Sequence, residues 1–433
     1  MTMNNDTLYW IWLQQALGIS SALRTQDILA AFHDTIDISA AERIYKAPDY
    51  ERRVSGVFTG QQLDRLARTS LSMAEAIAGE CERNETHILT PRSADYPARL
   101  LEIMNHPLVL YVRGSLACMR EQLGIAVVGT RHADRKSVDI AGRLSASLAR
   151  AGCVIVSGGA LGIDSAAHRG AIAAGGKTVA VLGCGLRFNY LMENNALRAQ
   201  IAGAGALVSE FPGDTPALAH NFPIRNRIIS GMTVGTVVVE AGEKSGSLIT
   251  ADCAADQGRD VFAVPGDAFG STYMGANKLI REGAKPVFSA MDVLEEYELV
   301  YPELLNMRKA ERNLDSSVVL PYDAPVPKKP RMRKNVGAAP LGGPAQATTP
   351  AATAPQAISP AAGGLQGAAA PTTRDPLETK LLTLLRDDML HVDAICAKTG
   401  EKLGTVFTAL TNLEIEGLVR QGPGRMYEAA GDE

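Results

Sequence analysis

The sequence lacks the features that mark secreted, membrane and zinc-binding proteins. Its six cysteines are scattered along 433 residues without a CxxC pair, which argues against a zinc ribbon or a thioredoxin-type redox site. Isolated cysteines at this density fit a reducing compartment. The chain has no apolar run of about 18 residues, and no basic segment followed by an apolar one opens it. We therefore expect a cytoplasmic protein without a membrane span.

An excess of one charge sign is also lacking. The chain has 43 Lys and Arg against 47 Asp and Glu, which gives a formal net charge of −4. This balance excludes a histone-like polycation but is compatible with a local basic cleft. Residues 124–290 carry 16 basic and 13 acidic side chains, a positive balance within a net acidic chain. The hydrophobic fraction of 46% excludes global disorder.

Composition and pattern divide the chain into four parts. Leu8, Trp12, Leu13 and Leu17 recur at helical spacing near the start. Residues 336–371 contain no charge and are mostly Ala, Pro and Gly, which is typical of a flexible linker. The basic segment PVPKKPRMRK before this stretch either contacts phosphates or keeps the linker soluble. We expect a helical N-terminal domain, an α/β core, a disordered linker and a winged helix, at 1–85, 86–305, 306–373 and 374–430.

The core alternates short apolar runs with longer helical segments. Strands alternating with helices give a mostly parallel, doubly wound sheet with helices on both faces. Beyond the linker, three helical patterns end in two strand-like pieces around a Gly-Pro-Gly turn, the arrangement of a winged helix. The runs that we interpret as core strands are 125–129, 153–157, 177–183, 206–210, 236–240 and 260–266.

The predicted strand ends are rich in glycine and hydroxyl residues. Small residues let backbone N–H groups approach an anion, and the N-termini of helices add a positive dipole. Glycine is also partly required by the geometry of such turns, but their number favours a phosphate-binding edge. There is no GxGxxG after the first strand and no GxxxxGK[ST] in the chain. The candidates are Gly129, Thr130, Arg131, Ser157, Gly158, Gly159, Ser245, Gly246 and Ser247.

The segment HNFPIRNRIISG, which includes Asn221, is unusual for a helix start. Arg225 and Arg227 in an early turn oppose the favourable sign of the helix dipole, and a bound polyanion would resolve that conflict. Phe222 either stacks on a base, worth about 1–3 kcal/mol, or anchors the loop. Arg131, directly after the first strand, either grips a phosphate or forms a surface salt bridge.

Catalytic arrangements are weak. His168 follows Asp164 by four residues, and the two are either an acid–base pair or, as we favour, a helix cap and a packed histidine. Glu240 ends a predicted strand near the cleft, but one carboxylate does not make a hydrolase.

Five segments in order, SGGALGIDSAAHRGA, GKTVAVLGCGL, FPIRNRIISG, EAGEKSGSLITA and GRDVFAVPG, resemble the DNA-processing protein A (DprA/Smf) family. The resemblance implies a sterile-alpha-motif-like N-terminal domain, an extended Rossmann-like core and a winged helix. It also implies a homodimer without cofactor or catalytic activity. Such a protein binds and protects incoming single-stranded DNA in natural transformation and helps load the RecA recombinase.

The resemblance also implies roles for particular residues. Arg131 corresponds to the phosphate-gripping arginine, and Ser157 with the following two glycines to part of a backbone cradle. Phe222 corresponds to the aromatic beside the DNA pocket, with Arg225 and Arg227 in its basic wall, and residues 245–247 form another edge of the cleft. The chain departs from the family pattern at Leu161, Arg187, Leu191 and Ala219, and Arg187 is a possible compensating contact.

Two further hypotheses remain open. The runner-up is an enzyme of the nucleotide monophosphate phosphoribohydrolase type, although the PGGxGTxxE signature is missing. The third is a scaffold with a vestigial cleft. The winged-helix region is net acidic, so we expect it to contact protein instead of duplex DNA.

Overall fold

The computed structural model describes residues 5–20, 23–311, 376–386 and 389–401, with shorter stretches at 406, 409–410, 413, 418–422 and 426–429. The chain forms two compact units, which divide near residue 332. We call the first of them, which contains both the N-terminal helices and the large sheet, the sheet unit. The predicted linker falls largely outside the described residues. Its first part does not, because Met307–Glu311 forms a helix whose Ala310 carbonyl accepts a hydrogen bond from Ser147. Within the described residues no helix is long and apolar enough to cross a membrane.

The chain begins with six short helices that pack on one face of the sheet. Serine and threonine N-caps start several of them, including a capping box between Thr59 and Gln62. Their core is continuous with that of the sheet, and the Gln14 side chain in α1 donates a hydrogen bond to the Glu210 carbonyl in the sheet region. The helices are α1 (Asn5–Leu17), α2 (Thr25–Ala31), α3 (Ala40–Lys46), α4 (Asp49–Val54), α5 (Gly60–Arg68) and α6 (Leu71–Arg83).

The described part of this unit contains one sheet of nine strands in the order β1-β2-β6-β5-β4-β3-β7-β8-β9. The pairs from β6 through β9 are parallel, whereas β1 and β2 form an antiparallel edge that the sequence did not predict. The strands are β1 (His87–Leu89), β2 (Leu110–Gly114), β3 (Leu123–Val128), β4 (Cys153–Ser157), β5 (Lys177–Leu182), β6 (Ala206–Ser209), β7 (Gly235–Val238), β8 (Asp260–Ala263) and β9 (Lys285–Pro286). The predicted mostly parallel, doubly wound sheet is confirmed.

Helices cover both faces of the sheet because its strands are apolar on both sides. The strand order reverses at β3, which has β4 on one side and β7 on the other, and ligands bind at such switch points beyond the carboxyl ends of the strands. The helices are α7 (Cys118–Glu121), α8 (Arg135–Arg150), α9 (Ile163–Ala173), α10 (Asn195–Ala204), α11 (Asn221–Gly231), α12 (Gly246–Asp256), α13 (Met274–Arg281), α14 (Met291–Glu298) and α15 (Met307–Glu311).

The second unit has its own small core, which includes Leu381, Ile395 and Tyr427. Its described elements are α16 (Pro376–Leu385), β10 (Leu390–His391), α17 (Val392–Thr399), β11 (Val419–Gly422) and β12 (Met426–Ala429). The three strands are antiparallel in the order β10-β12-β11. The hairpin of β11 and β12 matches the predicted pieces around the Gly-Pro-Gly turn.

Candidate nucleic-acid interface

A cavity of about 280 Å³ lies at the switch point, between the loops that follow β3 and β4 and the starts of α11 and α12. Eight of the predicted residues line it: Gly129, Thr130, Arg131, Phe222, Arg225, Ser245, Gly246 and Ser247. Sequence reasoning missed further polar lining residues, namely His132, Asp164, Asn226 and Thr250. No motif marks these four for a ligand.

Two loops cross closely at the base of the cavity. Thr130 N–H donates to the Glu240 carbonyl at 2.8 Å, and Ile163 N–H donates to the Thr130 carbonyl at 3.2 Å. A Cβ atom on Gly129 would lie 2.6 Å from Ile163 Cγ1, so glycine is needed there for the crossing. The crossing holds Arg131 at the mouth of the cavity.

Phe222 lies between two guanidinium groups. The Cζ atom of Arg131 is 4.8 Å from the ring centroid and that of Arg225 is 5.9 Å from it. The ring is half-buried and also contacts Tyr190 at 5.6 Å between centroids. Arg131 is exposed and forms no ion pair with any residue that the structure describes, which disfavours the surface salt bridge.

Arg225 lines the cavity but is buried, and its guanidinium group is hydrogen-bonded within the protein. Its Nη1 donates to the Gly158 carbonyl at 2.8 Å and to the Val181 carbonyl, and Asp164 is its neighbouring carboxylate. Burial lowers the pKa of Arg225 to about 10, so the group stays charged at neutral pH. Burial also raises the pKa of Asp164, and Arg225 opposes that shift.

The predicted cradle at residues 157–159 serves this pair instead of the cavity surface. Asp164 Oδ2 accepts from Gly158 N–H, a group that the pattern assigned to a phosphate, at 3.2 Å and from Ala160 N–H at 3.3 Å. The Ser157 hydroxyl donates to the Val127 carbonyl at 2.6 Å. Residues 157–159 therefore support the cavity from below, because an internal carboxylate occupies their donors.

Arg227 does not stand in the wall of the cavity, contrary to expectation. It is buried, and its Nη2 contacts Glu210 Oε1 at 2.8 Å. Asn221 is likewise buried and donates to the Pro216 carbonyl at 3.1 Å, which holds the entry to α11. Carboxylates from other elements, Asp164 in α9 and Glu210 after β6, lie near the two early arginines and offset the dipole conflict without a polyanion.

The N-terminus of α12 faces the cavity. Ser245 caps the helix, and the Asn226 amide donates to the Gly246 carbonyl at 3.2 Å, which ties the starts of α11 and α12 together. A Cβ atom on Gly246 would meet nothing within 4 Å, so this glycine leaves open space at the cavity edge. Unpaired N–H groups in the first turn of a helix favour an anion.

The acid–base pair is not formed. His168 Nδ1 lies 2.7 Å from Thr178 Oγ1, whose own hydrogen goes to the Ile155 carbonyl, so Nδ1 is the donor. Asp164 braces the preceding loop and does not cap α9, which begins after Gly162. Glu240 is buried outside the cavity lining. His168 is therefore a packed, neutral core histidine.

Buried histidines are expected to make the sheet unit sensitive to acid. Burial lowers the pKa of His168 to about 3 and that of His106 to about 4. Both values lie below the unfolded value of about 6.5, so the unfolded chain binds more protons and stability falls as pH drops below about 6.5. Between pH 7 and pH 5, each histidine is expected to remove about 2 kcal/mol of unfolding free energy.

The comparison of wild type with His168→Leu isolates this effect. Asp164 and Glu210 have raised pKa values and act in the opposite direction, so the variant difference is more informative than the absolute slope. Urea unfolding can be followed by tryptophan fluorescence, since both tryptophans lie in α1 and report on this unit alone. Equal pH slopes in the two proteins would contradict the assignment.

Known proteins match this chain over both units. A model described as DNA recombination-mediator protein A matches residues 87–298, and one described as the DprA winged helix domain matches 366–425. Protein Smf of Synechocystis is 31% identical over 431 residues, covering 98% of this chain and 99% of that protein. The chain belongs to the DNA-processing protein A family. The winged helix expected at the C-terminus is thereby confirmed.

Two further members of the DNA-processing protein A family are similar to this chain. DNA processing protein DprA of Bacillus subtilis is 43% identical over 204 residues, 47% of this chain and 69% of that protein. The X-ray structure of DprA from Streptococcus pneumoniae superposes with a TM-score of 0.57 at 32% identity and covers 68% of this chain and 99% of that one. Arg187, one of the positions at which this chain differs from the family pattern, does not contact the cavity. It forms ion pairs with Glu80, at 3.0 Å, and with Asp214.

Proposed function

We propose that this protein binds single-stranded DNA at the switch-point cavity. A phosphate would lie beside Arg131 and the N-terminus of α12, and a base would lie against Phe222. The observation that carries the proposal is Arg131 itself. It is exposed at the cavity mouth, lies over an aromatic ring and forms no ion pair with a described residue, whereas the neighbouring Arg225 and Arg227 are buried and hydrogen-bonded within the protein.

Aromatic stacking with a cationic contact to the backbone suits single strands, whose bases are exposed, and requires no particular sequence. On the strength of the family, we propose a role in natural transformation or recombination, with protection of the bound strand, loading of RecA recombinase and a homodimeric, cytoplasmic protein without cofactor. We propose no catalytic activity. The carboxylate in the cavity lining, Asp164, accepts from two backbone N–H groups and has Arg225 as an electrostatic neighbour, which supports this view over the phosphoribohydrolase hypothesis.

Arg131→Ala is expected to weaken binding of oligothymidine by roughly ten- to one-hundred-fold, because a charge-assisted phosphate contact contributes about 1.5–3 kcal/mol. The slope of log K against log salt is expected to become shallower by about 0.7, the value for one phosphate of a single strand. Stability is expected to stay within about 0.5 kcal/mol of wild type, since the side chain is exposed. Fluorescence anisotropy at several salt concentrations measures both quantities.

Arg68→Ala provides a matched control, as Arg68 is another exposed arginine, in the last turn of α5. It is expected to leave affinity and salt slope unchanged. Equal binding by wild type and Arg131→Ala at moderate salt would count against the cavity as the DNA site. Release of free base from nucleoside monophosphates by the wild-type protein would favour the enzyme hypothesis instead.

A further inference from the structure

One buried arginine of the sheet unit, Arg198, forms no ion pair with a described residue. Arg198 in α10 keeps 9% of its surface exposed, and its Nε and Nη2 atoms are buried without a hydrogen-bond partner. A buried guanidinium without a partner is strongly unfavourable, and the other buried arginines of this unit, Arg225 and Arg227, have carboxylate neighbours. The contrast indicates that Arg198 lacks a ligand that is not part of the chain.

The position of Arg198 suits an anion. It lies four residues after Asn194, the N-cap of α10, so the two side chains share a face of the helix. Side chains of a helix lean toward its N-terminus, which brings the guanidinium back over the first turn, where the dipole is positive. This face of α10 contacts the loop after β4 and the start of α9, because the Asn194 amide donates to the Gly159 carbonyl at 3.2 Å and to Ser165 Oγ at 3.0 Å.

The surroundings of Arg198 connect it to the cavity. Its electrostatic neighbours are a thiol and a phenol, Cys184 and Tyr190, and no carboxylate. Tyr190 contacts Phe222 at 5.6 Å between ring centroids, and Arg131 lies over the Phe222 ring, so this aromatic pair connects the surroundings of Arg198 with the cavity mouth. Burial raises the pKa of the Cys184 thiol, and Arg198 and Arg225 both oppose that shift, so the thiol is an electrostatic neighbour of both arginines.

We propose that Arg198 and the N-terminus of α10 form a second anion subsite that takes a further phosphodiester of the same single strand. The proposal rests on the function proposed above. A strand that places one phosphate beside Arg131 would pass the Phe222–Tyr190 pair and present the next accessible phosphate to Arg198. The exposed edge of the guanidinium lets a phosphate oxygen reach it from solvent.

Arg198→Met, which keeps the length of the side chain and removes its charge, tests the subsite in the full-length protein. Binding of labelled oligothymidine is expected to weaken roughly ten-fold, with a salt slope shallower by about 0.7. The thermal midpoint of the free protein is expected to stay the same or rise, because an unpaired buried charge is removed. Arg198→Lys is expected to bind more tightly than Arg198→Met. Arg150→Met, at the end of α8 on the opposite edge of the sheet, is the matched control.

The outcomes separate this subsite from the proposed function. Weaker binding by Arg131→Ala with wild-type affinity in Arg198→Met would overturn the subsite alone. Absence of oligothymidine binding by wild type would overturn both. A lower thermal midpoint in Arg198→Met would show an internal structural partner and overturn the subsite. Thermal stabilisation of wild type by inorganic phosphate, lost in Arg198→Met without a change in oligothymidine affinity, would assign the site to free phosphate and overturn the DNA assignment.

Discussion

Arg225→Met is expected to lower the free energy of unfolding of the sheet unit by about 3–5 kcal/mol, since it leaves the buried Asp164 without its counter-charge. The variant also loses the hydrogen bonds to the carbonyls of Gly158 and Val181. The first turn of α11, which carries Phe222, would shift with the loss of these contacts, so oligothymidine binding is expected to fall as well. Urea unfolding followed by the fluorescence of the two tryptophans in α1 measures the stability change.

The double variant Arg225→Met/Asp164→Asn is the informative control. It removes both charges, so its destabilisation is expected to be clearly smaller than the sum for the two single variants. An Arg225→Met protein within about 1 kcal/mol of wild type would show that the pair is not the buried charge compensation described above.

Gly158→Ala is expected to disrupt the same pair from the backbone side. The added Cβ would lie 2.6 Å from Arg225 Nη1 and 2.7 Å from Asp164 Oδ2, and neither group can move without losing buried hydrogen bonds. Overpacking of this kind costs about 1–3 kcal/mol. We expect that loss of stability together with weaker oligothymidine binding, measured by urea unfolding and anisotropy.

Gly203→Ala is the matched control for this substitution. Gly203 lies in α10, and a Cβ atom there would meet nothing within 4 Å. It is expected to leave binding unchanged and to raise stability by about 0.5–1 kcal/mol, the usual advantage of alanine over glycine inside a helix. Equal stability and equal oligothymidine binding of Gly158→Ala and Gly203→Ala would show that the close approach of Gly158 to its neighbours does not contribute to stability.

Local patterns predicted most of the core strands to within about two residues. The runs were extended too far at their ends, as at Glu240, because the residues after a strand are also apolar or small where loops cross. The antiparallel placement of β2 was not predictable, since strand pairing depends on contacts with β6 nearly 100 residues away. The cavity was anticipated at the correct sheet edge because turn chemistry is local to each strand end.

Apolar periodicity and glycine-rich turns act through neighbouring residues, so the sequence alone was enough to predict the architecture and the sheet edge at which the cavity lies. Which arginines are exposed in that cavity depends on the tertiary structure. Arg227 pairs with Glu210 and Arg225 has Asp164 of α9 as its neighbouring carboxylate, while Arg131 faces solvent beside Phe222. The interaction energy of two charges depends on the distance between them in space, which the spacing of arginines along a helix does not reveal.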